Sequence, residues 1–201
     1  LLGVSAMRMA LSSRALATNS QVSNLLFQAA DVGLVQFANA VKATPADSGT
    51  GVLVDAILNQ GKEFSFCVTP KNGAANKLTK GTCDVTDKAN EFMSARGAVA
   101  VQVTAKIAEE KPIEAASMGT DPEAGIQLNP YKLVIYSTAV LPTFGSAAES
   151  AINNCLALKN DDRTDTVKAT ELVSVTDCLT DGGAVFNTQV DEASYGYDIK
   201  L

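Results

Sequence analysis

Four cysteines and a complete absence of histidine define the chemistry that this sequence can carry. The 201 residues contain 4 Cys and 0 His. Catalytic triads, cysteine–histidine dyads and His-ligated metal sites all require an imidazole, so the sequence excludes them. Only carboxylate, lysine and thiolate chemistry remains. We therefore expect a protein that is not an enzyme and that has no catalytic residues, no cofactor and no metal site.

The cysteines form two pairs that are local in the sequence. Cys67 and Cys83 are 16 residues apart, and Cys155 and Cys178 are 23 residues apart. No spacing is that of a zinc ribbon or a thioredoxin-like site. Four cysteines allow three pairings, and the other two close loops of roughly 70 to 110 residues, so we expect Cys67–Cys83 and Cys155–Cys178.

Each of these disulfides would stabilise the fold by about 3 kcal/mol. Disulfides persist in oxidising compartments, so the pairing favours the periplasm or the cell exterior. The alternative interpretation is a cytosolic protein with four buried free thiols.

Acidic side chains provide the few other candidates for chemistry. Asp161, Asp162 and Asp165 lack the alternating ligands, the central glycine and the terminal glutamate of an EF-hand loop. We interpret them as a solvated acidic loop. The enzymatic alternative is a surface hydrolase that uses carboxylates such as Glu63 and Asp84.

The overall composition describes a folded, acidic protein. Hydrophobic residues make up 46% of the chain and charged residues 19%, which is not the composition of a disordered segment. Aromatic residues are 5% and Trp is absent, so the core must consist mainly of aliphatic side chains. With 16 basic and 22 acidic residues the formal net charge is −6, and we expect no nucleic-acid partner because phosphates would be repelled.

The N-terminal 43 residues predict one long helix. They contain no proline until Thr44-Pro45, and at 1.5 Å per residue such a helix would extend about 65 Å. Residues 1–11 are apolar almost all round, although Arg8 and Arg14 interrupt the stretch too soon for it to span a bilayer alone. We interpret them as the end of a membrane helix whose upstream part precedes Leu1. The expected domains are therefore a spine helix, 1–43, and a globular head, 44–201.

From Asn19 onward the helix becomes amphipathic, with apolar residues at three- and four-residue steps. The stripe consists of Val22, Leu26, Ala30, Leu34, Phe37 and Val41. The alternative is a coiled-coil or bundle helix, but strict heptads with flanking charge pairs are missing.

The head combines strand and helix patterns, which predicts an α+β fold: a long N-terminal α-helical spine packed on an antiparallel β-sheet head with two disulfides. Strands are expected at 62–68, 98–107, 131–140 and 184–190, and helices at 86–95 and 146–158. Residues 70–81 are rich in turn formers and 108–130 carry three prolines, so we expect a hairpin-like excursion and a polar linker there.

Two segments of the predicted helix resemble the N-terminal region of PilX-type minor pilins. Residues 1–7 read Leu-Leu-Gly-Val-Ser-Ala-Met, and residues 27–34 read Phe-Gln-Ala-Ala-Asp-Val-Gly-Leu. In that family an apolar membrane stretch ends in a Leu-Leu-Gly-Val-Ser-like segment, and an Ala-Phe-Gln-Ala-Ala-Glu-Ala-Gly-Leu-like segment follows on the same helix. Leu26, Asp31 and Val32 depart from that pattern. Residues 175–179 and 186–190 look like C-terminal segments of such pilins, which is a weaker likeness.

The resemblance implies a type IV pilin-like fold and a non-enzymatic minor pilin of the type IV pilus. Such subunits join other minor pilins in a tip complex that primes pilus assembly and displays an adhesin. The implied partners are other minor pilins and the major pilin, contacted through the N-terminal helix, together with a tip adhesin and, before assembly, the inner membrane. The implied location is an inner-membrane anchor with a periplasmic head, and then the tip of the extracellular pilus.

The helix residues that the resemblance assigns to assembly are Leu2, Ala6, Met9, Val22, Leu26, Phe27 and Leu34. Part of the stripe must instead hold the head's own sheet, and the sequence does not divide the two sets. A major, filament-forming pilin and a type II secretion minor pseudopilin are the alternatives, because both share the long N-terminal helix.

Overall fold

The structure is a computed structural model. It describes residues 2–43, 51–58, 62–71, 74–87, 99–107, 127–160 and 173–199. On the first helix the side chains are described from Asn19 onward.

The described chain forms four helices and five strands. In order these are α1 (Leu2–Ala43), α2 (Val52–Leu58), β1 (Phe64–Lys71), β2 (Ala74–Lys80), β3 (Ala100–Ile107), β4 (Gln127–Gly145), α3 (Glu149–Leu156), α4 (Val175–Asp181) and β5 (Ala184–Ile199). The strands form one sheet in the order β2-β1-β3-β4-β5, and every neighbouring pair is antiparallel. The predicted α+β class is confirmed, with the N-terminal helix on the sheet and both disulfides present.

One face of the sheet packs against α1. Because side chains alternate between the two faces of a strand, the odd-numbered residues of β3, from Val101 to Ile107, lie on this face. They share one core cluster with Leu26 and Phe37 of α1. Burying a large apolar side chain contributes about 1.5–3 kcal/mol, so this cluster is the main apolar attachment of the helix.

The helix comes closest to the sheet at Gly33. A Cβ atom at this position would overlap the Ser137 Oγ atom and would lie 2.9 Å from Val101 Cγ1. The same Ser137 hydroxyl donates a hydrogen bond of 2.7 Å to the Ala30 carbonyl. The absence of a side chain at Gly33 therefore lets α1 approach closely enough for a strand to bond its backbone.

The opposite face carries α3, α4 and both disulfides. Ile152 and Leu156 of α3 and Leu179 of α4 are buried in a second cluster with Val140 of β4. The helix α4 begins at a capped turn, where the Ser174 Oγ atom accepts a hydrogen bond of 3.1 Å from the Asp177 amide. The sheet is thus covered by α1 and the short helix α2 on one side and by the two short helices α3 and α4 on the other.

The structure extends several strands beyond the boundaries that the sequence predicted. The hairpin-like excursion expected at 70–81 is confirmed, because the edge strand β2 pairs antiparallel with β1, whereas residues 127–130 extend β4 into the predicted linker. The strand predicted at 184–190 continues to residue 199. Each missed segment is held by pairing with a neighbouring strand, which local composition does not report. Residues 88–95 of the predicted helix 86–95 and residues 108–126 of the predicted linker 108–130 lie outside the described residues.

Candidate assembly surface

Among the described side chains of the spine helix α1, the contacts with the head lie in its C-terminal half. The helix has 42 residues and is therefore about 63 Å long. Among its described side chains, the buried ones lie between Leu26 and Val41. About 36 Å of helix precedes Leu26, since 24 residues rise 1.5 Å each.

Polar contacts also attach this part of α1 to the sheet. The Gln189 side-chain amide of β5 donates a hydrogen bond of 2.9 Å to the Phe27 carbonyl, one turn before the Ser137 bond to Ala30. Further along the helix, the rings of Phe37 and Phe66 lie 6.3 Å apart at a tilted angle. The helix therefore crosses the sheet from β5 toward β1, in a fixed register.

The structure divides the residues that the resemblance assigns to assembly. Leu26 is 2% exposed and belongs to the head's own core, and Val22 and Leu34 are partly buried against the same core. Phe27, the next residue after Leu26, is 57% exposed. Leu2, Ala6 and Met9 lie within α1, but their side chains are outside the described part of the chain.

A second apolar side chain joins Phe27 on the outward face of α1. Val35 is 48% exposed, and its position lies off the predicted stripe. The neighbouring exposed residues are polar: Asn24, Gln28, Asp31, Asn39 and Lys42. The sequence missed Val35 because the periodic pattern identifies the buried side of a helix and gives no signal for an isolated apolar residue on the other side.

A groove of about 210 Å³ lies between α1 and the near ends of β4 and β5. Its lining consists of Asn19, Val22, Ser23, Leu26, Phe144, Val185, Phe186 and Asn187. The Asn187 Oδ1 atom is buried and has no hydrogen-bond partner among the described residues. The groove therefore lies between the first described side chains of α1 and the end of the sheet formed by β4 and β5.

The predicted disulfide pairing is confirmed. Cys67 is bonded to Cys83 and Cys155 to Cys178, so the alternative of four free thiols is wrong. A buried glutamine connects the two bonded regions. The Gln102 Oε1 atom accepts a bond of 3.0 Å from the Cys83 amide, and its Nε2 donates a bond of 2.8 Å to the Leu156 carbonyl.

The carboxylates considered for hydrolysis have structural partners. The Glu63 Oε2 atom accepts bonds of 2.8 and 3.3 Å from the backbone and side-chain amides of Asn160. The Asp84 Oδ1 atom accepts from the Thr86 hydroxyl at 2.6 Å, the Thr86 amide at 2.9 Å and the Asn153 side chain at 2.6 Å. These bonds favour the ionised form, and that from the Thr86 hydroxyl contributes most to lowering the pKa of Asp84. Both groups thus join loops to the α3 region.

The acidic loop Asp161, Asp162 and Asp165 lies outside the described residues. Within the described part, no group of three or more His, Cys, Asp or Glu side chains is placed to hold a metal ion. None of the described helices has the length and apolar character needed to cross a bilayer. Comparison of the chain with family models, with curated proteins and with solved structures gave no match.

Proposed function

We propose that this protein is a non-enzymatic, minor-pilin-like subunit that joins other subunits through α1 and carries its disulfide-bonded head on the outside of the assembly. One observation carries the proposal. Among the described side chains of α1, those packed against the head's core run from Val22 to Val41, and the helix itself begins about twenty residues earlier, at Leu2.

The N-terminal part of α1 has a composition that favours burial. Residues 2–18 contain Leu, Val, Met and Ala at most positions, and their charged residues are Arg8 and Arg14. An apolar helix of this kind is stable in water only when other helices or lipid cover it. A bundle of such helices from several subunits would supply that cover.

The two disulfides support a compartment outside the cytosol, because thiols stay reduced inside most cells. In this proposal the protein is held at the inner membrane with its head in the periplasm before it enters a type IV pilus near the tip. Its partners would be other minor pilins, the major pilin and a tip adhesin.

The first test is size-exclusion chromatography with light scattering on the oxidised chain, alone and mixed with the other minor-pilin heads of the same source. We expect one discrete heteromeric complex. Phe27→Asp should weaken it by on the order of tenfold or more if Phe27 is an interface anchor. Gln28→Asp is the matched control, since it adds the same charge to an exposed neighbour without removing apolar surface.

Leu26→Asp separates assembly from folding. It places a carboxylate in the head's core, so the head itself should lose its cooperative melting transition. Filaments or large homo-oligomers of the chain alone that Phe27→Asp abolishes, without a heteromeric complex, would favour the major-pilin alternative. A chain that stays monomeric in every mixture would contradict association through α1.

A further inference from the structure

The sheet ends in two edge strands of unequal length. β5 has 16 residues and pairs with β4, and β2 has 7 residues and pairs with β1. No described strand lies on the outer side of either one. An edge strand presents backbone donors and acceptors that can bond a further strand.

The two edges carry charges of opposite sign. β2 contains Lys77 and Lys80 and no acidic residue. β5 contains Asp191, Glu192 and Asp198 and no basic residue. Both lysines are exposed, and so are Asp191 and Glu192. Glu192 already forms an ion pair of 2.8 Å with Lys132. Among the described acidic side chains of β5, we therefore assign Asp191 to the contact at this edge.

A lysine of the β2 edge and an aspartate of the β5 edge project from the same face of the sheet. Lys80 is directly across from Phe66, and Asp191 is directly across from Ile135. Phe66 and Ile135 both lie in the core cluster under α1, and paired residues share a face, so Lys80 and Asp191 project on the α1 side.

The strand directions allow the two edges to meet. Because each of the four neighbouring pairs is antiparallel, β2 and β5 run in the same direction. A second copy in the same orientation would therefore place its β2 parallel to β5 and continue the sheet. Such a contact joins different surfaces of the two copies, so it can repeat along a row of subunits.

We propose that the β5 edge of one copy binds the β2 edge of a second copy, with complementary charge selecting this pairing. Like charges oppose β5–β5 and β2–β2 contacts, while unlike charges favour β2–β5. Parallel pairing of a short strand is weak, so the contact becomes substantial where copies are concentrated. The inference depends on the sheet edges and not on α1, so it stands or fails independently of the proposed function.

The experiment uses sedimentation of the oxidised chain over a range of concentrations at low and high salt. We expect concentration-dependent self-association that weakens by on the order of tenfold at about 1 M salt, where charges are screened beyond about 3 Å. Asp191→Lys alone, or Lys77→Glu with Lys80→Glu, should each remove self-association by placing like charges on both edges. An equimolar mixture of the two variants should associate again, since each then meets an edge of opposite charge.

Melting curves would confirm that both variants remain folded, and Lys42→Glu on the exposed end of α1 is a control of matched charge change. A wild-type chain that is monomeric at every concentration and salt would overturn the proposal. Self-association that persists in both charge-reversal variants would also overturn it, as would an equimolar mixture of the two variants that stays monomeric. A further contrary result is self-association that Phe27→Asp abolishes and the charge reversals on β2 and β5 leave unchanged. That last result would assign the contact to α1.

Discussion

The two faces of the sheet are stabilised in different ways. On one face, a helix of 42 residues crosses the strands and, together with the short α2, buries aliphatic and aromatic side chains. On the other, helices of 8 and 7 residues are joined to each other by Cys155–Cys178, the second disulfide links β1 to the segment after β2, and Gln102 bonds both the Cys83 amide and the Leu156 carbonyl. A long amphipathic helix buries a continuous apolar stripe, whereas α3 and α4, of about two turns each, add a covalent link and polar bonds to their smaller apolar contact.

The largest effect is expected on the α1 face, at Phe37. This ring is fully buried between the helix and β1, so Phe37→Ala should cost about 3–5 kcal/mol in the free energy of unfolding. Val35→Ala on the outward side of the same helix is the control and should change stability by less than about 0.5 kcal/mol. Urea unfolding measures both, and similar costs for the two variants would contradict the assigned orientation of α1.

The opposite face should depend on its covalent links. Removing Cys155–Cys178 by substituting both residues with Ala should cost about 3 kcal/mol, because the chain then loses a closed loop. Amide exchange should become faster in α3 and α4 while the amides of α1 keep their protection. The oxidised wild-type protein should show no titratable thiol. Loss of protection throughout α1 would show that the two faces are not independently stabilised.

A smaller effect on the same face is expected at Gln102. Gln102→Leu keeps the approximate volume but leaves the Cys83 amide and the Leu156 carbonyl without this partner, at a cost of about 1–3 kcal/mol. Gln189→Leu removes an exposed bond to α1 and should cost less than about 0.5 kcal/mol. Chemical denaturation measures the free energy of unfolding of both variants. An equal cost would indicate that the two hydrogen bonds of Gln102 stabilise the fold no more than the exposed bond of Gln189 does.

The smallest expected effect is the pH dependence due to Asp84. Hydrogen bonds from Thr86 and Asn153 lower the pKa of Asp84 in the folded protein, so its ionised form contributes stability above the unfolded pKa. That contribution is lost as the pH falls below about 4 and through the folded pKa. Asp84→Asn should lower the melting temperature slightly at pH 7 and have less effect at low pH. A gap between wild type and variant that widens on acidification would contradict this assignment.

The sequence predicted an element correctly where residue type and near spacing alone determine it. The absence of proline up to Pro45 and the three- and four-residue apolar steps predicted a helix over 1–43, and α1 spans Leu2–Ala43. Short separations predicted both disulfides, since short loops close most readily. The valine-rich pattern predicted β3 to within a few residues.

Local sequence patterns failed to predict a structure where the segment is stabilised by residues elsewhere in the chain. β2 consists largely of Ala, Asn, Lys and Thr, and its strand form depends on pairing with β1. The extra length of β4 and β5 likewise depends on their mutual pairing. The roles of Gln102 and Ser137 needed the fold, because their partners are 54 and 107 residues away.

The sequence by itself thus determined the long helix, the covalent pairing, the α+β class and the lack of imidazole chemistry, all of which depend on residue type and near spacing. Only the tertiary structure decided that Leu26 faces the head while Phe27 faces outward, and that the two edges of the sheet differ in charge. Periodicity defines a helix stripe to within about one residue, whereas the packed sheet determines which side chain at its border is covered. Strand order is set by long-range pairing, so the edges of the sheet emerge only from the folded chain.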